Sequence, residues 1–328
     1  MRYQLRHTPS ELSIMRGMSS RQAKLIFATL ALLLGLSACL PSDPVPPTPT
    51  SILPPTLTPT PLPTLPPPTA TPLTCLTAPG ELRTGEVPTD SATTFFIVYL
   101  PPCYEHFTDQ HYPVLYLLNG QTYTADQWVR LGAPAAADEL IHSGHAEPFI
   151  IVFPDDRYWN LPQGEYFGQY LINDIMPYVD ANFRTIPDRD HRAIGGLSRG
   201  GGWALQVGLR TDIFSSVGLH SAAAFPEDRA NIVYWIQNHN PDTWPRIYID
   251  SGDNDRERGF NTLFESLLTE YGIPHEWHLN PGDHSETYWG AHVIAYMAWY
   301  AEGFALADQT TATPEPIVTP EATSTVSP

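Results

Sequence analysis

Cysteine is scarce in this chain, whose 328 residues include only Cys39, Cys75 and Cys103. The spacing of these three residues fits no zinc-binding pattern, so we expect no metal site. Cys39 belongs to the N-terminal signal described below. The other two form an even pair, and we expect a disulfide between Cys75 and Cys103 if the protein is exported to an oxidising compartment.

Basic residues are also few, with 17 Lys and Arg against 35 Asp and Glu and a formal net charge of −18. Residues 1–38 hold five of the basic residues and one of the acidic ones, which leaves 12 against 34 and a net charge of −22. A surface of this sign repels nucleic-acid phosphates and anionic lipids. The composition therefore argues against nucleic-acid binding.

The apolar run near the N-terminus, residues 25–36, is shorter than the roughly 20 residues of a membrane-spanning helix and follows basic residues. This pattern is typical of a signal peptide. The run ends in Leu36-Ser37-Ala38-Cys39, which resembles the lipobox of bacterial lipoproteins. We predict a lipoprotein-type signal peptide over residues 1–38, lipidation of Cys39 and a location on the outer face of a bacterial membrane. Ordinary secretion is the alternative.

Composition also divides the rest of the chain. We predict a disordered linker over residues 39–74, because 14 of the 34 positions in 41–74 are proline and nine are threonine, which favours an extended chain without a core. Residues 307–328 are rich in Thr, Pro and Glu and are predicted to be a disordered tail. Residues 75–306 remain as one globular domain, large enough to bury a substantial core.

Apolar runs alternate with helical patterns through this domain. Strands are predicted at 93–100, 112–118, 149–153, 191–194, 216–220, 246–250 and 275–279, and helices near 169–182, 203–209, 228–238, 256–271 and 287–304. Such alternation predicts an α/β fold with a mostly parallel central sheet and helices on both faces.

The stretch that organises the domain contains Gly196-x-Ser198-x-Gly200, the spacing of a nucleophile elbow. In this turn a buried strand passes abruptly into a helix and presents a serine, while the two glycines let strand and helix approach closely. Ser198 is therefore the candidate nucleophile. The alternative is a glycine-rich turn with an incidental serine.

A serine hydroxyl needs a base and an acid that orients the base, and both should follow later strands of the sheet. His284, after the last predicted strand, is the candidate base; His220 and His292 are alternatives. The residues alone leave three candidate acids near the end of strand 246–250, which are Asp250, Asp253 and Asp255. The backbone N–H groups of Arg199 and Gln121 are the candidate oxyanion donors.

Three segments, 98–102 (VYLPP), 112–120 (YPVLYLLNG) and 193–201 (AIGGLSRGG), resemble the Putative esterase family, which includes esterase D, feruloyl esterases, siderophore esterases and mycolyltransferases. The resemblance covers about residues 80–304. It implies the α/β-hydrolase fold and a Ser/acid/His triad. The acid of the family ends a Gly-x-x-Asp motif, which favours Asp255. The base of the family lies in a Gly-x-His loop near a tryptophan, and His284 with Trp289 matches this pattern. The usual His-Gly of the oxyanion loop is replaced here by Asn119-Gly120.

The sequence therefore predicts an exported serine esterase that acts through Ser198, His284 and Asp255 without a metal or organic cofactor. The expected partner is a small-molecule or carbohydrate ester, and contact with a membrane is expected only through the lipid anchor. An acyltransferase with the same triad, a non-catalytic binding module and, last, a serine peptidase are the alternatives. The aromatic residues Tyr123, Trp128, Tyr158 and Trp159 are candidates for lining the substrate pocket.

Overall fold

A mixed sheet with the parallel part at its centre organises the computed structural model, which describes residues 73–88 and 93–311. The predicted signal peptide, Cys39, residues 39–72 of the linker and residues 312–328 of the tail lie outside the described residues. The strands are β1 Glu81–Pro88, β2 Thr93–Leu100, β3 Val114–Leu118, β4 Ile150–Pro154, β5 Arg192–Leu197, β6 Ser216–His220, β7 Arg246–Gly252 and β8 Glu276–Asn280.

The strands are arranged in the order β1-β2-β4-β3-β5-β6-β7-β8. The first two strands are antiparallel to their neighbours, and the other six run parallel. Every residue of β3 and β4 is buried, as expected for central parallel strands that are covered on both faces. This arrangement confirms the predicted α/β fold with a mostly parallel sheet.

Helices cover both faces of the sheet. They are α1 Gln127–Arg130, α2 Ala133–His142, α3 Phe167–Tyr170, α4 Met176–Asn182, α5 Arg199–Arg210, α6 Pro226–Arg229, α7 Ile232–Asn238, α8 Arg258–Glu270 and α9 Glu286–Thr311. Alternate residues of one strand belong to different cores: Leu118 belongs to the core that includes residues of α4, α5, α7 and α8, whereas Leu117 belongs to the core that includes residues of α1, α2 and α9. Among the described residues, no helix is both long enough and apolar enough to span a membrane.

The structure differs from the predicted elements at several places. The strand β1 was not predicted, because it is an edge strand whose only buried residue is Val87, so it carries no apolar run. The helix α5 begins four residues before the predicted start, where consecutive glycines hide the helical pattern. The helix α9 continues to Thr311, past the predicted end of the domain at residue 306.

The disulfide expected from the cysteine count is present, between Cys75 and Cys103. Cys103 follows β2 and has a left-handed backbone conformation, with φ 62°. The disulfide therefore ties the residues before β1 to the turn after β2.

Candidate active site

Ser198 lies at the turn between β5 and α5 in a strained backbone conformation, with φ 54° and ψ −119°. Its N–H donates to the His220 carbonyl (2.9 Å), and its own carbonyl accepts from the Ala223 N–H (2.9 Å). A left-handed conformation is costly for a residue with a Cβ unless its surroundings hold it. These backbone bonds to the end of β6 and to the segment after it supply that support.

The two glycines of the motif are required by close approach of the backbone. A Cβ on Gly196 would lie 2.3 Å from the carbonyl carbon of Gly200, and a Cβ on Gly200 would lie 2.2 Å from the Leu118 oxygen. Any larger side chain at either position would push α5 away from the sheet. The Gly-x-Ser-x-Gly spacing is thus explained by packing of α5 on β5 and β3.

His284 lies in the loop between β8 and α9, beside Ser198. Its Nε2 is 2.8 Å from the Ser198 Oγ, and its Nδ1 is 2.8 Å from Oδ1 of Asp255. Because an ionised carboxylate only accepts hydrogen bonds, Nδ1 carries the proton and the Nε2 lone pair faces the serine hydroxyl. The ring packs edge-on against Trp289, with 5.0 Å between the ring centroids.

Asp255 is buried after β7 and also accepts the Glu257 N–H (2.7 Å) on Oδ1. Burial by itself raises the pKa of the Asp255 carboxyl, but the interactions with His284 and Ser221 and the hydrogen bond from the Glu257 N–H outweigh it. The pKa of Asp255 is therefore lower than that of an ordinary aspartate. The carboxyl is held in its ionised form beside the imidazole.

The other two candidate acids lie elsewhere. Oδ1 of Asp253 accepts the Gly282 N–H (3.0 Å) and so joins the loop after β7 to the loop that carries His284. Asp250 is fully buried and accepts from His220 and from two tyrosines. The structure thus brings Asp255, and neither Asp253 nor Asp250, into contact with His284.

The loop after β3 lies against Ser198. A Cβ on Gly120 would lie 3.6 Å from the Ser198 Cβ, and the Gly120 N–H is already bonded to Gln127 Oε1 (2.8 Å). Within residues 73–88 and 93–311, the N–H groups of Gln121 and Arg199 donate to no other group. They are therefore backbone donors available to a ligand oxygen at this turn.

Asn119, which stands where the resembling family has histidine, braces this loop. Its Nδ2 donates to the carbonyls of Gly120 (3.1 Å) and Tyr123 (2.9 Å), and its Oδ1 accepts the Asp156 N–H (3.3 Å). The amide therefore connects the loop after β3 with the segment after β4. This role needs both a donor and an acceptor, which an asparagine side chain supplies.

Sequence reasoning missed a buried ion pair next to the nucleophile. Arg199 Nε donates to Asp156 Oδ2 (2.7 Å), which also accepts from Trp203 Nε1 (2.9 Å). Burial raises the pKa of Asp156 to about 6, although the Arg199 charge acts in the opposite direction. The available signal was the Asp155-Asp156 sequence directly after a predicted strand, at the edge where parallel sheets bind ligands.

The structure places the remaining candidate site residues either in the core or at the surface. Trp128 is fully buried and donates from Nε1 to the Leu118 carbonyl (2.9 Å), so it is a core residue and not a pocket-lining one. Tyr123 is 37% exposed and stays available to a ligand. His292 Nδ1 donates to the Tyr288 carbonyl (2.8 Å), within α9. In the described part of the chain, no group of three or more His, Cys, Asp and Glu side chains is arranged to hold a metal ion.

Comparison with curated proteins identifies esterases as relatives. The chain is 30% identical over 201 residues to an endo-1,4-beta-xylanase/feruloyl esterase of Xylanibacter ruminicola, which covers 55% of this chain and 27% of that protein. It is 28% identical over 240 residues to an esterase of Mycobacterium tuberculosis, with 57% and 51% covered. The chain thus spans about a quarter to a half of the length of these relatives.

Solved structures show the same fold. A ferulic acid esterase matches with a TM-score of 0.63 and 26% identity, over 69% of this chain and 100% of that one. An S-formylglutathione hydrolase of Staphylococcus aureus matches with a TM-score of 0.58 over 68% and 98%, and at 19% identity this likeness concerns the fold alone.

A family model supplies the assignment. The model described as Putative esterase matches residues 91–300. These residues include the strained turn at Ser198, the loop after β3 and the loop that carries His284. The chain belongs to the Putative esterase family and has the α/β-hydrolase fold.

Proposed function

We propose that this protein is a serine esterase that hydrolyses carboxylic esters through Ser198, His284 and Asp255. The observation that carries the proposal is the continuous chain of contacts from Ser198 Oγ through both ring nitrogens of His284 to Asp255, with 2.8 Å at each step. A nucleophile, a base and an orienting acid in this order form a catalytic triad. The strained turn presents the hydroxyl at the carboxyl end of the sheet.

In the acylation step, Ser198 Oγ attacks the ester carbonyl carbon while His284 Nε2 accepts the hydroxyl proton. Asp255 keeps the imidazole in the required tautomer and stabilises its charged form. The N–H groups of Gln121 and Arg199 hold the negative oxygen of the tetrahedral intermediate. The carbon–oxygen bond to the alcohol then breaks, and the proton on Nε2 passes to the leaving oxygen, which leaves an acyl-enzyme.

In the deacylation step, water attacks the acyl carbonyl carbon and His284 Nε2 accepts a proton from it. The bond to Ser198 Oγ breaks, the serine regains its proton from the imidazole, and the acid leaves. Every proton is moved by one imidazole, so the proposed cycle uses no metal and no organic cofactor.

The proposed substrate is a phenolic or carbohydrate-linked ester. The names of the relatives, a xylanase/feruloyl esterase and a ferulic acid esterase, support this class. Transfer of the acyl group to an alcohol instead of water uses the same residues, and product analysis with an added sugar alcohol separates the two reactions.

We also propose that the protein is exported and anchored to the outer face of a bacterial membrane by a lipid on Cys39. The apolar run that ends in Leu36-Ser37-Ala38-Cys39 supports this location. Mass spectrometry of the membrane-extracted protein tests it. A free N-terminus upstream of Cys39 in the mature protein, or an unmodified Cys39, would contradict the proposal.

Hydrolysis of p-nitrophenyl acetate and methyl ferulate tests the esterase function. Wild type is compared with Ser198→Ala and with Ser266→Ala, an exposed serine of α8 that serves as the matched control. We expect Ser198→Ala to lose at least about 10³-fold in kcat and the control to keep wild-type activity. Equal rates for wild type and Ser198→Ala would refute the triad.

A further inference from the structure

Gln127 is a buried amide that takes no part in the proposed chemical steps. It is the first residue of α1, and its side chain is fully buried. Its Oε1 accepts the Gly120 N–H (2.8 Å), and its Nε2 donates to Oε1 of Glu286 (3.2 Å). Glu286 is the first residue of α9 and follows His284 by two positions. Gln127 therefore connects the loop after β3 with the loop that carries the base.

The orientation of the Gln127 amide follows from its two partners. The Gly120 N–H can only donate, so the amide oxygen faces it, and the amide nitrogen faces the Glu286 carboxylate, which only accepts when it is ionised. Arg130 donates from Nη1 to both carboxylate oxygens of Glu286 (3.1 and 3.2 Å) and from Nε to Asp126 (2.8 Å). The carboxylate that accepts from Gln127 is thus itself held in place.

The direction of the Gln121 N–H depends on the peptide group that it shares with Gly120. The Gly120 carbonyl accepts from the Tyr123 N–H (3.2 Å) and from Nδ2 of Asn119 (3.1 Å). In a planar trans peptide the C=O and the N–H point in opposite directions, so these bonds direct the Gln121 N–H outward from this turn. Because Gln127 binds the Gly120 N–H, Gly120 is fixed on both sides, and the candidate oxyanion donor is fixed with it.

The same turn contains backbone strain that its surroundings must hold. Thr122 has φ 72°, in the left-handed region, which is unfavourable for a β-branched residue. The bond from Gly120 to Gln127 lies at one end of the turn, and the bond from Asn119 Nδ2 to the Tyr123 carbonyl (2.9 Å) lies at the other. Loss of the first bond should therefore let the turn relax toward a less strained shape.

We propose that Gln127 is a positioning residue for the esterase reaction, which holds the Gln121 N–H at a fixed place relative to the loop of the base. The inference rests on the proposed esterase function and deepens it. The oxyanion donor and the base come from loops that are distant in sequence, and the Gln127–Glu286 hydrogen bond joins them. Donor and base must be aligned on the same carbonyl group for the transition state to be stabilised.

Two substitutions of Gln127 test the proposal. Gln127→Met removes both hydrogen bonds without adding a charge, whereas Gln127→Glu keeps an acceptor for the Gly120 N–H but places a carboxylate beside that of Glu286. We expect each to lower kcat on p-nitrophenyl acetate about 10- to 100-fold and to change KM less than about twofold, because the affected interaction is made in the transition state. Gln237→Glu, at an exposed glutamine of α7, is the matched control and should keep the wild-type kcat.

Exchange of the two side chains separates positioning from general packing. In Gln127→Glu combined with Glu286→Gln, one carboxylate accepts from both the Gly120 N–H and the new amide, so the connection is restored. We expect kcat of this double variant, and of Glu286→Gln alone, to lie within about threefold of wild type. A wild-type kcat in Gln127→Met, or a rise in KM instead of a fall in kcat, overturns the proposal. A folded double variant no more active than Gln127→Glu also overturns it, and Gln127→Met decides alone if Gln127→Glu does not fold.

Hydrogen exchange separates this proposal from the esterase function. In Gln127→Met the Gly120 amide hydrogen should exchange at least about tenfold faster than in wild type, while the amides of β3 keep their rates. If wild type hydrolyses no ester, the esterase function fails, and unchanged exchange at Gly120 would then overturn the hold on the loop as well. If wild type is active and Gln127→Met keeps its kcat, only the positioning role fails.

Discussion

His220 Nδ1 lies 2.8 Å from Oδ1 of Asp250, and both side chains are buried, so the core of the protein holds a histidine–aspartate pair besides that of the triad. The other nitrogen of His220, Nε2, lies 3.0 Å from the Tyr300 hydroxyl instead of a serine. Oδ2 of Asp250 accepts from the hydroxyls of Tyr288 and Tyr296, at 2.7 Å each. The pair therefore connects β6 and β7 with α9, Asp250 through Tyr288 and Tyr296 and His220 through Tyr300.

The His220–Asp250 pair stabilises the segments that carry Ser198 and His284. Tyr288 follows His284 by four residues, and a Cβ on Gly282 would lie 2.5 Å from the Tyr288 ring. The carbonyl of His220 accepts the Ser198 N–H. Asp250 thus holds the start of α9 next to the loop of the base, and His220 holds the backbone of the nucleophile.

We expect Asp250→Asn to lower the free energy of unfolding by about 2–4 kcal/mol, because the amide cannot accept all three hydrogen bonds and leaves buried donors unpaired. Urea denaturation measures this loss. Tyr296→Phe, which removes one donor, should cost about 1 kcal/mol. An Asp250→Asn protein as stable as wild type would show that the hydrogen bonds to Asp250 contribute little to the free energy of unfolding.

His220 and His284 are expected to differ in kinetics. His284→Ala should lower kcat by about 10³-fold or more, since it removes the proposed base. His220→Asn should reduce kcat only through displacement of the turn and retain measurable, pH-dependent hydrolysis. Steady-state kinetics on p-nitrophenyl acetate distinguish the two. Complete loss of activity in a folded His220→Asn protein would contradict the assignment of His284 as the base.

The triad acid is tested by a pair of neighbouring aspartates. Asp255→Asn is expected to lower kcat by about 10³- to 10⁴-fold, because the amide no longer fixes the proton on Nδ1 of His284. Asp253→Asn changes a loop contact and should cost about 1 kcal/mol of stability with little effect on kcat. Comparable losses of kcat in both variants would argue against Asp255 as the orienting acid.

The raised pKa of Asp156 predicts how the stability of the folded protein depends on pH. Its pKa is about 6 in the folded protein against 3.8 ordinarily, so between these values the folded state binds more protons than the unfolded chain. The contribution of Asp156 to stability is therefore greatest below pH 3.8 and decreases by about 2–3 kcal/mol as pH rises to 6. The difference in unfolding free energy between wild type and Asp156→Asn, measured at several pH values, should follow this course. A difference that is constant from pH 4 to 7 would contradict the raised pKa.

The disulfide is expected to stabilise the N-terminal part of the domain. Cys75 and Cys103 are 28 residues apart, and closing a loop of this length contributes about 3–4 kcal/mol in the chain-entropy model. Cys75→Ser with Cys103→Ser should therefore lower Tm, and a reductant should lower the Tm of wild type but not that of the double variant. An unchanged Tm in the double variant would contradict this contribution.

The sequence was most informative where apolar runs end in polar residues. Buried strands such as β3 and β4 are continuous apolar runs, so their positions were predictable, and the candidate residues Ser198, Asp255 and His284 all directly follow strands. The structure places these three within hydrogen-bond distance. The choice among Asp250, Asp253 and Asp255 was not possible from spacing alone, because it depends on which carboxylate the loop turns toward His284.

Contacts between distant segments were beyond sequence reasoning. The His220–Asp250 pair depends on the register of β6 against β7, in which these residues stand opposite each other. The Arg199–Asp156 pair depends on the nucleophile turn meeting the segment after β4. An edge strand such as β1 carries too few buried residues to produce an apolar pattern.

The left-handed backbone of Ser198 implies a conflict between selection for activity and selection for stability. Glycine adopts this conformation freely, and non-glycine residues pay about 1–3 kcal/mol for it. A Ser198→Gly protein would therefore be inactive yet harder to unfold than wild type. Serine is the less stable choice at this position, as expected of a residue that serves chemistry and not folding.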